Sequence, residues 1–275
     1  MKTLGACLNF FNEADALPGW LESASRWADD IAAYQAGPNG EESDDGSIEI
    51  LEKWRIPIHR GSINEGFGIV RTAAVRACKT DYVMLLDADE RFLHSGQVLT
   101  CSGENTSLEV EQQVLQEYDT GEPGQCPANW ENLSKLGAKL SVSFGEVYNQ
   151  AAWVKDFIQH GDLDAVCMIR RHWHDFTFKR PTQNWHTRPD YQIRLVRNRD
   201  DVHWDANTKM HETLVPGNRN IYQPNHTHGP FYDHFHCFFK RLSPLKRQFA
   251  VRVYRAIHYG HAVPSWKAFK KEYGG

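Results

Sequence analysis

The chain of 275 residues is short of the features that settle a class at a glance. It has no C-x-x-C pair. Its six cysteines (Cys7, Cys78, Cys101, Cys126, Cys167 and Cys237) are scattered, which speaks against a zinc knuckle or a dithiol redox motif. It has no run of the ~18 apolar residues that a membrane helix needs. The apolar segment after Met1-Lys2 is broken by Asn9 and Asn12, too short for a secretory signal. It has no excess of positive charge: Lys+Arg 31 against Asp+Glu 35 gives −4, so no global basic field points to nucleic acid or a membrane. Internal repeats and long low-complexity tracts are missing too. The expectation from these absences is a soluble, cytoplasmic protein with free thiols.

What is present is more specific. Hydrophobic residues make up 41%, enough for a substantial core. The 14 histidines leave room for a metal ligand or a proton carrier. The most informative stretch is Tyr82-Val83-Met84-Leu85-Leu86-Asp87-Ala88-Asp89-Glu90-Arg91. Its apolar half reads as a strand buried on both faces, the kind found inside a parallel sheet. Ligands bind beyond the carboxyl ends of such strands. Asp87 and Asp89 therefore stand where an α/β fold does its chemistry, and two hard carboxylates there suit Mg²⁺ or Mn²⁺.

Residues 1–92 alternate strand and helix. Strands are expected over 3–11, Asp30 to Tyr34, Ile56 to His59 and 82–86. Leu17, Trp20, Leu21, Ala24 and Trp27 recur at helical spacing, as do Phe67, Val70, Ala74 and Ala77. Asn12 reads as an N-cap with Asp15 in capping-box position, and Asp45 as the cap of a helix whose buried side carries Ile48, Leu51 and Trp54. Gly61 to Gly68 reads as a loop. Such alternation argues for a parallel α/β sheet. Residues 94–146 are polar and read as an insertion, with one helix from Leu108 to Tyr118. Residues 147–160 read as helix, and Ala165 to Arg170 and Tyr191 to Val196 as strands. From Lys240 onward the charge turns basic, and Phe249, Val253 and Ile257 are spaced for an amphipathic helix. The expected organisation is one domain over 1–235, made of a first α/β half (1–92), the insertion (94–146) and a second half (147–235). A basic helical extension over 236–275 follows.

Three stretches add to Asp87-Ala88-Asp89-Glu90-Arg91: Asn12-Glu13 after the first strand, Tyr191-Gln192-Ile193-Arg194-Leu195-Val196-Arg197-Asn198, and His211-Glu212. Together they resemble family 2 glycosyltransferases of the GT-A fold, in the subgroup with D-A-D-E-R, Q-x-R-L and H-E motifs. The resemblance is good over residues 3–92 and 188–215. It implies a mixed, mostly parallel sheet flanked by helices and transfer of a sugar from a nucleotide-diphospho-sugar, UDP- or GDP-linked, with inversion. A saccharide or a glycolipid precursor is the implied acceptor, and the basic C-terminal helix leaves a modified DNA base open. The resemblance makes Asp89 the direct metal ligand, with Asp87 on the ribose or a metal-bound water. His211 becomes a third ligand or the general base, and Glu212 the base or its orienting partner. Asn12, Glu13, Arg71, Gln192 and Arg194 fall on the donor side. The family's base-reading Asp at the end of the second strand is replaced here by Gln35, and the loop that follows is longer, so Asp44 or Asp45 is the candidate to fill that role.

Plainer readings stand beside these. Glu13 suits the positive end of a helix on its own account. Gln192 and Arg194 alternate with Ile193 and Leu195 as the polar side of a strand would. His226 and His228 share one face of a strand if they lie on one, Trp185 is a candidate for stacking on a sugar ring, and the basic tail is compatible with a solvated helix face. A degenerate, non-catalytic binding module and a nucleotidyltransferase are the competing functions.

Overall fold

The computed structural model describes residues 1–92, 150–173, 190–206, 214–215, 220–223, 231–235 and 244–274, and the fold is given for these. The expected insertion at 94–146, with its helix from Leu108 to Tyr118, lies outside them. So do Trp185, His211, Glu212, His226 and His228.

Strands β1 (Leu4–Phe10), β2 (Asp30–Gly37), β3 (Ile58–Ser62) and β4 (Tyr82–Asp87) run parallel in the order β3-β2-β1-β4. Helices α1 (Leu17–Ala24), α2 (Ser47–Lys53) and α3 (Phe67–Ala77) connect them. A two-residue strand, β5 (Glu90–Arg91), follows β4 directly. Helix α4 (Gln150–His160) leads to β6 (Ala165–Trp173) and β7 (Asp190–Arg197). β7 lies antiparallel between β4 and β6. Two short strands, β8 (His203–Trp204) and β9 (Leu214–Val215), pair with each other. β10 (Ile221–Tyr222) and β11 (Phe231–Phe235) both run parallel to β6, and β11 carries β5 on its far side, antiparallel. Helices α5 (Pro244–Tyr259) and α6 (Trp266–Tyr273) close the described chain. The result is the mixed, mostly parallel sheet flanked by helices that the sequence implied.

The apolar run of β4 explains the layering. Tyr82, Met84 and Leu86 point to the face covered by Leu17, Trp20 and Leu21 of α1 and by Val154 and Ile158 of α4. Val83 and Leu85 point to the other, against Val70 and Ala74 of α3 and Ile257 of α5. All five β4 residues are at most 1% exposed. At about 1.5–3 kcal/mol for each large side chain withdrawn from water, this strand anchors both layers.

Several local expectations need correction. Asn12 does not cap α1: the N-cap is Ala16, without a side-chain bond, and Asn12 takes a left-handed φ of 58°. Its side chain is used instead by the following loop, where Oδ1 accepts from the Asp44 amide at 2.8 Å. Asp45 lies one residue before its expected place. Gly46, at φ 95°, is the N-cap of α2, and glycine tolerates that conformation at little cost. Leu51 is buried as expected, but Trp54 ends α2 and is 42% exposed. β3 begins at Ile58 rather than Ile56, because Arg55 turns the chain with φ 58° just before Pro57. The expected loop from Gly61 to Gly68 is mostly ordered structure. It holds the end of β3, a 3₁₀ turn over Ile63–Glu65 fixed by a Ser62/Glu65 capping box, and the start of α3.

Candidate active site

The site grows from the end of β4. Asn9 of β1 is in register with Asp87, so the chain segments leaving β1 and β4 emerge side by side. The Asp87 amide donates to Glu90 Oε2 at 3.0 Å, which folds residues 87–90 into a tight turn. Glu90 and Arg91 then pair with His234 and Asp233 of β11. Within the five-residue motif the roles therefore divide. Arg91 is 4% exposed, and its guanidinium donates to Ala88 O at 2.6 Å, Glu90 O at 2.8 Å and Ala16 O at 2.8 Å. It ties the turn to the segment before α1, because a buried guanidinium needs acceptors for its donors. Glu90, 1% exposed, receives Arg194 at 2.6 Å. Asp87 and Asp89 are left at the surface of the turn, 37% and 28% exposed.

Asp87 is embedded in positive charge. Arg194 Nη2 lies 3.0 Å from its Oδ2, and Arg71 Nη2 of α3 lies 3.6 Å away. Burial pushes its carboxyl up, but Arg71, Arg194, His234 and Arg170 outweigh it and hold the carboxyl below its ordinary range. Glu90 goes the other way. Burial raises its carboxyl, Arg194 opposes, and Asp87 and Asp89 add to the rise. Arg194 is held firmly charged: burial works against the cation, and Glu90 and Asp87 win. Tyr232 of β11 lies beneath Arg194, with its ring centroid 5.4 Å from the guanidinium carbon. Gln192, two residues back on β7, does not reach the turn. It donates to Asp190 Oδ1 at 2.7 Å, and Asp190 in turn binds Arg170.

Asp89 meets a histidine that the sequence reading passed over. His234 Nε2 lies 3.1 Å from Asp89 Oδ2. Burial alone lowers the imidazole's pKa, but the bond to Asp89 and the charges of Asp89 and Glu90 raise it above its ordinary value. The signal available in the sequence was slight: Tyr232 and His234 are spaced two apart on a strand and share a face.

Beside this turn, beyond the ends of β1 and β2, lies a cavity of ≈ 270 Å³. Phe11, Asn12, Glu13, Ala36, Pro38, Ile63 and Phe67 line it from the core, and α5 and α6 line it from outside with Lys246, Phe249, Ala250, Val253, Tyr254 and Trp266. Glu13 stands at the charged end. Burial, then Asp89, Asp45 and Asp87, push its carboxyl up to about 8, against the pull of Lys246. Asp45 is a strut of the rim: its carboxylate accepts from the Ser47 amide at 3.1 Å, the Ser47 hydroxyl at 2.6 Å, the Ala14 amide at 3.1 Å and Lys246 Nζ at 3.0 Å.

Gln35 does not line this cavity. It is 2% exposed, and its amide nitrogen donates to Glu41 O at 2.9 Å, supporting the loop from the side opposite Ala36. Of the sequence-derived candidates, the structure therefore gathers Asp87, Arg71 and Arg194 in one cluster, Asp89 in contact with His234, and Asn12 and Glu13 along the cavity, with Asp45 bonded to Lys246 of its lining.

Residues 7–96 match the family model described as Glycosyl transferase family 2. Among solved structures, the chain is similar to S. aureus TarS 1–349 in complex with UDP, with TM-score 0.45 and 10% identity over 98% of this chain and 69% of that one. It is similar to the same protein in complex with UDP-GlcNAc, with TM-score 0.42 and 10% identity over 100% and 76%. A further similarity is to glucosyl-3-phosphoglycerate synthase from Mycobacterium tuberculosis in complex with Mn²⁺, UDP and glucosyl-3-phosphoglycerate. There the TM-score is 0.27 and the identity 18%, over 32% of this chain and 34% of that one.

Proposed function

We propose, from the match of residues 7–96 to the Glycosyl transferase family 2 model, that the protein moves a sugar from a nucleoside-diphosphate donor to an acceptor hydroxyl, with a divalent cation and with inversion at the anomeric carbon. One observation carries the reading. An aromatic cavity and a carboxylate pair meet at the carboxyl ends of neighbouring parallel strands, where open α/β sheets take their ligands. The cavity suits the nucleoside, and the turn at Asp87–Asp89 suits the diphosphate.

A cation fits the residues present. Burial first, and then the charges of Asp89, Asp45 and Asp87, push Glu13 toward its protonated form, and a cation nearby relieves the acidic part of that cost. Among the described residues no group of three or more His, Cys, Asp and Glu converges on one point. Mg²⁺ and ions like it commonly use one or two protein ligands and complete their shell with substrate phosphates and water. Asp89 supplies a carboxylate for that small set, and His234, 3.1 Å away, holds it in place. When bound, such a cation neutralises charge on the departing diphosphate.

The chain's own residues do the rest. Arg194 and Arg71 hold the Asp87 carboxylate at 3.0 and 3.6 Å, and the motif assigns that carboxylate to the ribose or a metal-bound water. His234 orients the Asp89 carboxylate. Arg91 keeps the whole turn from drifting. The acceptor hydroxyl needs a base within hydrogen-bond reach, and that role falls to Glu212 or His211, as the motif implies. The acceptor class that the motifs favour is a saccharide or glycolipid precursor.

A thermal-shift series with UDP, GDP, CDP and ADP, each with and without Mn²⁺, tests this. A ligand at about 100 times its Kd adds about 2.7 kcal/mol to the native state, so one nucleotide raises the midpoint by several degrees and Mn²⁺ enlarges the rise. No response from any of them, or a response unchanged in Asp89→Asn, sinks the proposal.

A further inference from the structure

The loop between β2 and α2 carries three acids that all turn toward the C-terminal helices. Glu41 accepts from the Ser265 hydroxyl at 2.5 Å and from the Trp266 amide at 2.7 Å. Asp44 accepts from the Trp266 indole at 3.0 Å and from Lys270 at 3.0 Å. Asp45 accepts from Lys246 at 3.0 Å. Burial works against the charged Asp44, yet Lys270 and Trp266 hold its carboxyl below the usual range, and Asp45 is likewise lowered by Ser47 and Lys246 against burial. The same loop orders the start of the site, since Ser43 Oγ accepts from the Asn12 amide and Ser47 Oγ from the Glu13 amide. Apolar contact completes the joint: Phe249, Trp266 and Phe269 form a cluster against Phe11, with Phe249 and Trp266 centroids 4.9 Å apart.

We propose that the α5–α6 hairpin is the outer wall of the nucleoside pocket, latched shut by the acidic 41–45 loop, and that Tyr254 and Phe249 give the donor base its stacking surface. This rests on reading the cavity as the donor site. The cavity, at ≈ 270 Å³, is just below the usual range for ligand pockets, so it takes one ring system rather than a whole nucleotide-sugar. Its polarity is graded. Phe11, Phe67, Phe249 and Tyr254 make the interior aromatic, while Glu13 and Lys246 mark the end nearest Asp89. An uncharged aromatic base in the interior leaves its diphosphate at the charged end. Half of the wall comes from the hairpin, so the basic C-terminal segment belongs to the donor site and is not an appendage to it. Tyr254 is 48% exposed and so is replaceable without unfolding the chain.

The test is isothermal titration of the full chain with UDP, GDP, CDP and ADP in Mn²⁺, using wild type, Tyr254→Ala, Lys270→Met, Asp89→Asn and, as a control on the outer face of α5, Arg255→Ala. Loss of one aromatic stacking partner weakens base binding by about tenfold or more. Tyr254→Ala is expected to show that loss, Lys270→Met a several-fold loss through the latch, and Arg255→Ala none. The bound nucleotide is also expected to quench tryptophan fluorescence in wild type and to lose most of that quenching in Trp266→Phe. If wild type binds a nucleotide and Asp89→Asn weakens it while Tyr254→Ala and Lys270→Met bind as wild type does, the hairpin is not part of the site and the proposal falls alone. If wild type binds none of the four, the donor-site reading falls and takes this proposal with it.

Discussion

Asp87 and Asp89 are two residues apart on one turn and live in opposite surroundings. Asp87 faces inward to Arg194, Arg71 and the buried Glu90, a network in which opposite charges answer each other. Asp89 has His234 as its one partner among the described residues, and its charge is the first, after burial, to push up the Glu13 carboxyl at the charged end of the cavity. The contrast teaches that a paired-acid motif need not be a symmetrical clamp. One acid is clamped between two guanidinium groups, and the other has a single imidazole partner and bears more strongly on Glu13 at the cavity.

The sharpest way to break this contrast is to remove Arg194. It and Glu90 are 4% and 1% exposed, so Arg194→Met takes from the buried Glu90 its 2.6 Å partner. Taking one partner from a buried pair costs about 3–5 kcal/mol, and urea unfolding is expected to show a loss of that size. Asp89→Asn is the complement. It should leave the urea midpoint nearly unchanged and lower turnover of a donor sugar by about 100-fold or more, the scale of losing a charge-stabilising group. An equal stability loss in both variants erases the distinction between the two acids.

A smaller effect concerns Glu13. Its ordinary pKa of 4.5 rises to about 8 in the folded state. Between those values the folded chain holds a proton that the unfolded chain has released, so this group makes stability fall as pH rises through that window. In metal-free buffer, Glu13→Gln should therefore be more stable than wild type at pH 8, by about 1–3 kcal/mol after allowance for relaxation. The gap should close toward pH 4.5, and Mn²⁺ with a nucleoside diphosphate should narrow it at pH 8. A gap that widens on acidification contradicts the assignment. The smallest effect is expected at the latch. Lys270 and Asp44 are 54% and 35% exposed, and such pairs contribute at most about 1 kcal/mol. Lys270→Met should shift the thermal midpoint only slightly while still loosening nucleotide binding.

Much of this was legible from the chain. The alternation of β4, the motif after it and the strand–helix repeats of residues 1–92 are local signals, and the sheet follows them. Gln35 was legible too, had the period of two been carried through β2: Ala32, Tyr34 and Ala36 share the α3 face, so Gln35 must turn to the other. The partners were not legible. His234 meets Asp89 across 145 residues and Arg194 meets Glu90 across 104, and no local pattern encodes such pairings. The N-cap expected of Asn12 failed for a related reason. Its side chain answers to a loop 32 residues on rather than to the helix beside it.

The latch also orders events in time. Glu41 and Ser265 are 224 residues apart, so at about 5–20 residues per second a ribosome makes the acidic loop some ~10–45 s before the hydroxyl that will bind it. During that interval the sheet's first four strands are available to pair, while Glu41 and Asp44 wait for Ser265, Trp266 and Lys270 and Asp45 for Lys246. The pocket is thus finished only once α5 and α6 emerge, and a nascent chain holds the carboxylates well before it holds the wall.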